Sequence, residues 1–295
     1  MRLFSTMKLL IISFSLLFYS VSTTAKEFNL YLDADMTIHK DSGLSIQKGI
    51  GIALDEFNKK NPEITINLIT LDHRGNTRRS LANFKKAKAD PKLLAVFGGL
   101  HSPPLITNNK FINNSKIPTM VSWAAGGPIT RSKVDENWIF RLSIDDAQAG
   151  GFIAKYAVAN GKCSSPYLLL EKTKWGQSNE KNMKKGLKAQ GVSVKGVQLF
   201  GWGVSSSSSL EIAEIILKSK ADCIFFVGNT KDAKVLFNAF GEKALSLPIY
   251  SHWGITGGDN SLMAKVVYKN KLDVSIIQTK FTFLKKNLSK YQTKN

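Results

Sequence analysis

Residues that build metal centres and disulfide frameworks are scarce in this sequence. Its 295 residues include two cysteines, Cys163 and Cys223, without the paired spacing of a structural zinc site. The histidines are also few and lack the spacing of metal ligands: His39, His73, His101 and His252. We therefore predict that these histidines are polar loop or pocket residues, and we expect neither a metal nor a cofactor.

The motifs of common enzyme classes are missing as well. The sequence has no G-x-S-x-G, no P-loop and no H-E-x-x-H. His101 and Ser102 are neighbours, but adjacency in sequence alone does not make a nucleophile–base pair. Four carboxylates near predicted strand ends could bind a ligand, although capping is their commoner role: Asp33, Asp35, Asp72 and Asp145. These absences predict that the protein is not an enzyme.

Acidic residues are outnumbered by basic ones. The chain has 22 Asp and Glu against 41 Lys and Arg, a formal net charge of +19. Such a charge could indicate nucleic acid or an acidic membrane surface as a partner. However, the lysines are spread over the whole chain, and no aromatic-plus-basic binding motif accompanies them. We therefore interpret them as a solvated surface and expect no nucleic-acid partner.

Long apolar runs are absent after residue 25, so no later segment predicts a membrane span. Residues 9–21 are apolar, follow Arg2 and Lys8, and precede the small residues of 22–25. This layout predicts a signal peptide cleaved after Ala25 and a periplasmic location. A retained membrane anchor is the alternative. A lipoprotein anchor is not expected, because no cysteine stands at the cleavage point.

The remaining chain alternates between strand and helix patterns. Period-two or apolar runs such as 27–34, 63–71 and 93–97 are followed by helical periodicity such as 43–60 and 76–89. The alternation restarts after an extended segment near 137–143, which could be a hinge strand. Two successive βα series predict an α/β fold of two lobes with parallel sheets. The expected divisions are 1–25 (signal peptide), 26–140 (lobe one), 141–274 (lobe two) and 275–295 (a return segment to lobe one).

The two cysteines could form a disulfide in an oxidising compartment. Both lie at or just before a predicted strand, but Cys163 is farther upstream of its strand than Cys223. The sequence therefore leaves open whether the two thiols are close enough to be joined.

A glycine-rich turn from Gly98 to Pro104 is the most informative local segment. It predicts the end of a strand and the start of a helix with proline in its first turn. Ligands of open α/β sheets bind at the carboxyl ends of strands, where a helix N-terminus can offer free N–H groups. A plain structural turn is the other interpretation.

Several segments resemble the substrate-binding proteins of branched-chain amino-acid ABC importers. The resemblance rests on the order and spacing of GLSIQKGIGIALDEFN, LLAVFGGLHS, KIPTMVSWAAGGPIT, NWIFRLSIDDAQAGGFIAKYA, KTKWGQS and ADCIFFVGN. It covers roughly residues 28–290. The resemblance implies the type I periplasmic-binding fold, with two Rossmann-like lobes joined by hinge strands around a ligand cleft.

The resemblance also implies which residues contact a ligand: Ser102, Trp123, Ala125, Trp175, Asn229 and Trp253. Ala125 stands where amino-acid binders usually have threonine, and Trp253 falls where they have an acidic residue. Two polar anchors for an α-amino acid are therefore missing. We expect a ligand that is amino-acid-like, or has amide, aromatic or quaternary-ammonium character, unless the tryptophans merely fill space.

The implied function is capture of a small molecule and its delivery to an ABC permease in the inner membrane, by a monomeric protein. Two alternatives remain. One is a periplasmic sensor that presents its closed form to a signalling receptor. The other is a shortened, non-binding remnant, because the resemblance predicts a chain that continues past the return segment.

Overall fold

The computed structural model of the protein describes residues 25–161, 163–258 and 260–278. Strands and α-helices alternate along these residues. The strands are β1 (Lys26–Ala34), β2 (Ile64–Asp72), β3 (Leu93–Gly98), β4 (Thr119–Val121), β5 (Ile139–Arg141), β6 (Pro166–Glu171), β7 (Gly196–Phe200), β8 (Cys223–Val227), β9 (Ile249–Ser251) and β10 (Val274–Ile276). The helices are α1 (Lys40–Lys60), α2 (Thr77–Ala89), α3 (Ser102–Asn114), α4 (Asp146–Gly161), α5 (Lys174–Ala189), α6 (Ser206–Lys218), α7 (Thr230–Glu242) and α8 (Asn260–Lys269).

The strands form two parallel five-stranded sheets with the same topology. The first sheet has the order β2-β1-β3-β4-β5, and the second has the order β7-β6-β8-β9-β10. When the strands are numbered within each lobe, both sheets have the order 2-1-3-4-5. This is a doubly wound order, in which the second strand is added on one side of the first strand and the later strands on the other side. The predicted α/β fold of two lobes with parallel sheets is confirmed.

The central strands of the second lobe are apolar on both faces because helices cover both. Every residue of β8, CIFFV, is buried. Two adjacent residues of this strand, Phe225 and Phe226, point to opposite faces of the sheet and belong to different core clusters. Side chains alternate across a strand, so one short apolar run supplies both layers of the core.

Helix α6 begins one turn earlier than its sequence indicates. The spacing of Ser208 and Glu211 in the sequence predicts a capping box that starts the helix at Ser208. In the structure Ser205 is the N-cap, and its hydroxyl accepts the N–H of Ser208 at 3.1 Å. Several adjacent serines could serve as the N-cap of this helix, and Ser205, which directly precedes its first turn, takes that role.

The chain passes from the first lobe to the second after β5. This strand pairs with β4 in the first sheet, so the predicted boundary after residue 140 falls inside it. Residues 142–145 then lead into α4, which packs on α5. Strand β10 is the edge of the second sheet and includes the first residues of the predicted return segment. Residues 279–295 of that segment, and residues 1–24 of the predicted signal peptide, lie outside the described residues.

Cys163 and Cys223 form a disulfide, with their Cα atoms 5.6 Å apart. It joins the segments that lead into β6 and β8, at the amino ends of two paired strands. This end of the sheet is opposite the carboxyl ends of the strands.

None of the described helices combines the length and the apolar character that a bilayer crossing needs.

Candidate functional site

One cavity between the lobes brings all six predicted ligand-contact residues together. It is lined by Leu100, His101, Ser102, Pro103, Trp123, Ala125, Glu171, Trp175, Trp202, Asn229, Trp253 and Gly254. The cavity volume is about 10 Å³, room for about one water molecule. The lobes are therefore nearly closed on one another. Whether the six residues contact a ligand stays a prediction.

The shared topology explains why these residues meet. Ser102 follows β3 and Trp123 follows β4 in the first lobe, while Asn229 follows β8 and Trp253 follows β9 in the second. All four positions lie at the carboxyl ends of parallel strands, and Ser102 and Asn229 stand beside the point where each sheet reverses its order. Ligands of open α/β sheets bind at such points.

Ser102 opens α3 and has a partner within its own lobe. Its hydroxyl accepts the N–H of Gly126 at 3.0 Å. The next two residues, Pro103 and Pro104, have no N–H. The first turn of α3 therefore offers one N–H, that of Ser102, where most helices offer several.

Glu171 lies at the centre of the cleft on the side of the second lobe. One carboxylate oxygen accepts the backbone N–H and the side-chain amide of Asn229, at 2.9 and 2.6 Å. The other accepts the indole N–H of Trp202 at 2.9 Å. Burial raises the pKa of Glu171 to about 7, although the hydrogen bonds from Trp202 and Asn229 act against this rise. Glu171 was not predicted as a site residue, because its only signal in the sequence is an acid at the end of an otherwise apolar strand.

Three predicted tryptophans present indole rings to the cleft. The indole N–H of Trp175 donates to the carboxylate of Asp146 at 3.1 Å. Trp253 packs against Ala125 in a small cluster to which Trp123 contributes. The buried N–H of Trp123 has no hydrogen-bond partner among the described residues. Of the three, only Trp123 therefore has a buried donor free for a ligand acceptor.

A fourth tryptophan, which the resemblance did not imply, joins the two lobes. Trp202 follows β7, and its ring centroid lies 4.8 Å from that of His101 and 6.0 Å from that of His39. Gly75 makes room for it, because a Cβ there would lie 2.7 Å from the indole. The loop after β7 of the second lobe is thus seated in the first.

The cleft has no fixed positive charge. Among the described residues that line it there is one carboxylate, Glu171, and neither lysine nor arginine. Burial lowers the pKa of His101, so its imidazole is neutral at neutral pH. The nearby Arg141 guanidinium donates to the carbonyls of Ala125 and Gly126 and pairs with Asp145. An anionic ligand would therefore meet no unpaired cation.

A family profile described as periplasmic binding protein matches residues 35–266. No curated protein matches the chain.

Several solved structures share the fold at low sequence identity. The leucine-binding protein LivK of Thermotoga maritima MSB8 has a TM-score of 0.70 at 17% identity, over 82% of this chain and 67% of that one. An ABC-transporter solute-binding protein from R. palustris, in complex with 4-hydroxybenzoate, has a TM-score of 0.70 at 19% identity, over 83% and 74%. A type 1 periplasmic binding protein from Bordetella pertussis Tohama I has a TM-score of 0.72 at 15% identity, over 85% and 67%.

Proposed function

The chain belongs to the periplasmic binding protein family, and from that premise we propose that it captures a small molecule between its lobes and delivers it to an ABC permease in the inner membrane. The observation that carries the proposal is the cavity formed by the carboxyl ends of both sheets. Hinge opening would admit the ligand, and closure would bury it. The protein acts as a monomer and binds its ligand without converting it.

Export is part of this proposal. Residues 1–25 would direct the chain across the membrane and be removed after Ala25. Support comes from the first strand, which begins at Lys26 and pairs there with Ile64. Mass spectrometry of the periplasmic protein should give an N-terminus at Lys26, whereas a retained leader would contradict the cleavage.

The lining of the cleft favours an organic cation as the ligand. Trp123, Trp175, Trp202 and Trp253 supply aromatic faces, and Glu171 supplies a carboxylate. A cation over an indole face gains about 0.5–2 kcal/mol per contact. The chain has 41 Lys and Arg, and none of those that the structure describes lines this cavity. A quaternary ammonium compound fits these groups best.

Carboxylate ligands fit the same cleft poorly. The α3 N-terminus has lost two N–H donors to Pro103 and Pro104, and Glu171 would repel an anion. A branched-chain amino acid would also lack its two usual polar anchors, because Ala125 and Trp253 occupy those positions. The 4-hydroxybenzoate bound by the R. palustris protein is therefore not the ligand that we infer here.

Calorimetry on the mature chain tests the ligand class. We expect choline to bind at least tenfold more tightly than 3,3-dimethylbutan-1-ol, its neutral isostere, and more tightly than leucine or 4-hydroxybenzoate. Trp123→Ala should weaken choline binding by about two- to thirtyfold, the equivalent of one such contact. Trp138→Ala is the matched control, since Trp138 bonds to Glu136 outside the cleft.

Two other outcomes would redirect the proposal. Leucine or 4-hydroxybenzoate binding more tightly than choline would overturn the ligand class but leave the solute-binding function in place. Uptake assays test delivery, because deletion of the gene should abolish uptake of the bound compound. Unchanged uptake together with a lost signalling response would favour a sensor.

A further inference from the structure

Three side chains of the first lobe converge beside the cleft, although their spacing in sequence gave no sign of it. Asp35 directly follows β1, His39 comes four residues later, and His101 precedes α3. Oδ2 of Asp35 lies 3.2 Å from Nδ1 of His39 and 3.0 Å from Nε2 of His101. The three ligand-type atoms all lie within 4.8 Å of one another, and all three residues are buried. We propose that Asp35, His39 and His101 bind one divalent transition-metal ion, with Zn²⁺ the best match.

The distances suit such an ion. Zinc binds imidazole nitrogen and carboxylate oxygen at about 2.0–2.2 Å, so neighbouring ligand atoms of a tetrahedral site are about 3.3–3.5 Å apart. The two distances to Asp35 Oδ2 are within a few tenths of an ångström of that value. Two imidazoles and one carboxylate, with a fourth position left for water, are a common zinc ligand set.

The carboxylate is held in the orientation that the ion needs. Oδ1 of Asp35 accepts the backbone N–H groups of Thr37 and Ile38 at 3.1 and 2.8 Å. These bonds direct the other oxygen, Oδ2, towards the histidines. Second contacts of this kind fix metal-binding carboxylates in place.

Hydrogen bonding alone does not account for the burial of His39. Its ring is bonded to Asp35 through Nδ1, but Nε2 is buried without a partner among the described residues. His73 is a neighbour rather than a ligand. Its ring centroid is 5.9 Å from that of His101, and its Nδ1 accepts the N–H of Gly75.

The second lobe covers the site. Trp202 lies over the His101 and His39 rings, so separation of the lobes would expose the three ligand atoms and closure would enclose them. The ion therefore has a route in that needs no unfolding of the first lobe. The site borders the solute cavity through His101, whereas Asp35 and His39 do not line that cavity, so variants of those two residues test the ion without changing the cavity lining.

Titration of the chelator-treated mature chain with ZnCl₂ tests the site. We expect one ion per chain, a raised thermal midpoint, and visible d–d absorption of a tetrahedral site when Co²⁺ replaces Zn²⁺. Asp35→Asn and His101→Gln should each weaken Zn²⁺ binding about 100-fold or more. His73→Gln is the matched control and should leave binding within about threefold of wild type.

A folding defect must be separated from a lost ligand. His39→Ala serves this purpose because His39 is the most exposed of the three side chains, at 6% against 0% for Asp35 and 1% for His101, and circular dichroism would verify its fold. Loss of Zn²⁺ binding in a folded His39→Ala protein supports the site. Absence of one-to-one binding to wild type, or equal affinity in His39→Ala and His73→Gln, would overturn it. Choline binding by the cleft is measured separately, and neither outcome of the Zn²⁺ titration decides it.

Discussion

Trp202 of the second lobe lies against His101 of the first, with ring centroids 4.8 Å apart and the two planes tilted by 42°. The same indole donates its N–H to Glu171 within its own lobe. One side chain therefore links the carboxylate in the cleft to the surface on which the lobes meet. Closure of the lobes and the electrostatics of the cleft depend on the same residue.

Gly75→Ala should disfavour the closed form. Its Cβ would lie 2.7 Å from the Trp202 ring, and its φ of +67° is a conformation that costs alanine about 1 kcal/mol. Gly191→Ala is the control, with φ +72° but no neighbour within 4 Å. We expect both variants to lose similar backbone stability, and only Gly75→Ala to show an enlarged radius of gyration in small-angle scattering. Equal radii for the two would contradict the role of this contact.

Glu171 should make stability depend on pH. Its pKa in the folded protein, about 7, exceeds its ordinary value of 4.5, so the folded state holds the proton more tightly. The resulting stability is fully present below about pH 4.5 and is lost as the pH rises through 7, by roughly 3 kcal/mol. Glu171→Gln, a mimic of the protonated side chain, should remove this loss. The difference in Tm between variant and wild type should therefore widen from pH 5 to pH 8, and parallel curves would contradict it.

Glu171 should also make cation binding depend on pH, but affinity should rise with pH where stability falls. Choline keeps its charge at all pH values, so its affinity should increase as Glu171 ionises, several-fold between pH 6 and pH 8. His101 also lines the cleft, and Asp232 and His39 act on Glu171 from neighbouring elements. Glu171→Gln retains those groups, so the difference between the two profiles isolates Glu171. If the choline affinity of Glu171→Gln depended on pH as strongly as that of wild type, a group other than Glu171 would be responsible.

Removal of the disulfide should lower stability without changing affinity. Cys163 and Cys223 are 60 residues apart in sequence, and loss of a native disulfide of this kind costs about 2–5 kcal/mol. The bond lies at the amino ends of β6 and β8, away from the cleft. Denaturant unfolding of the Cys163→Ala/Cys223→Ala variant should show the loss, and calorimetry with choline should not. Equal stability of the oxidised and reduced wild type would argue against the bond.

Ser102→Ala should lower stability more than the same substitution of Ser122, the serine at the end of the next strand. Without the hydroxyl, the buried N–H of Gly126 loses its acceptor, at a cost of about 1–3 kcal/mol. Ser122→Ala is the comparison, because Ser122 only donates to the carbonyl of Gly98 at 3.1 Å. Thermal unfolding of both variants decides the matter. A smaller loss for Ser102→Ala would mean that Gly126 finds another partner.

The fold was predictable because its signals are local. Apolar strands and amphipathic helices alternate, and a run such as residues 223–227 is bounded by Asp222 and Gly228. Helix α8 was not predicted. The cap of α6 was displaced by one turn because adjacent serines compete for the same role.

The candidate site was predictable only where a family motif points to it. Ser102, Trp123 and Asn229 follow recognisable strand ends. The contact between Glu171 and Trp202 was not predictable in this way, because it depends on how the loop after β7 folds back over the end of β6. The histidines near Asp35 come from three separate loops, so only the arrangement of β1, β2 and β3 reveals their proximity.

The repeated 2-1-3-4-5 strand order gives the cleft an internal correspondence. Trp123 follows the fourth strand of one sheet and Trp253 the fourth strand of the other, while Ser102 and Asn229 both stand where a helix follows the third strand. The two walls of the cleft therefore correspond to each other strand by strand. Since these walls differ, with Pro103 and Pro104 on one side and Glu171 on the other, a bound molecule would meet unlike ends and take one orientation.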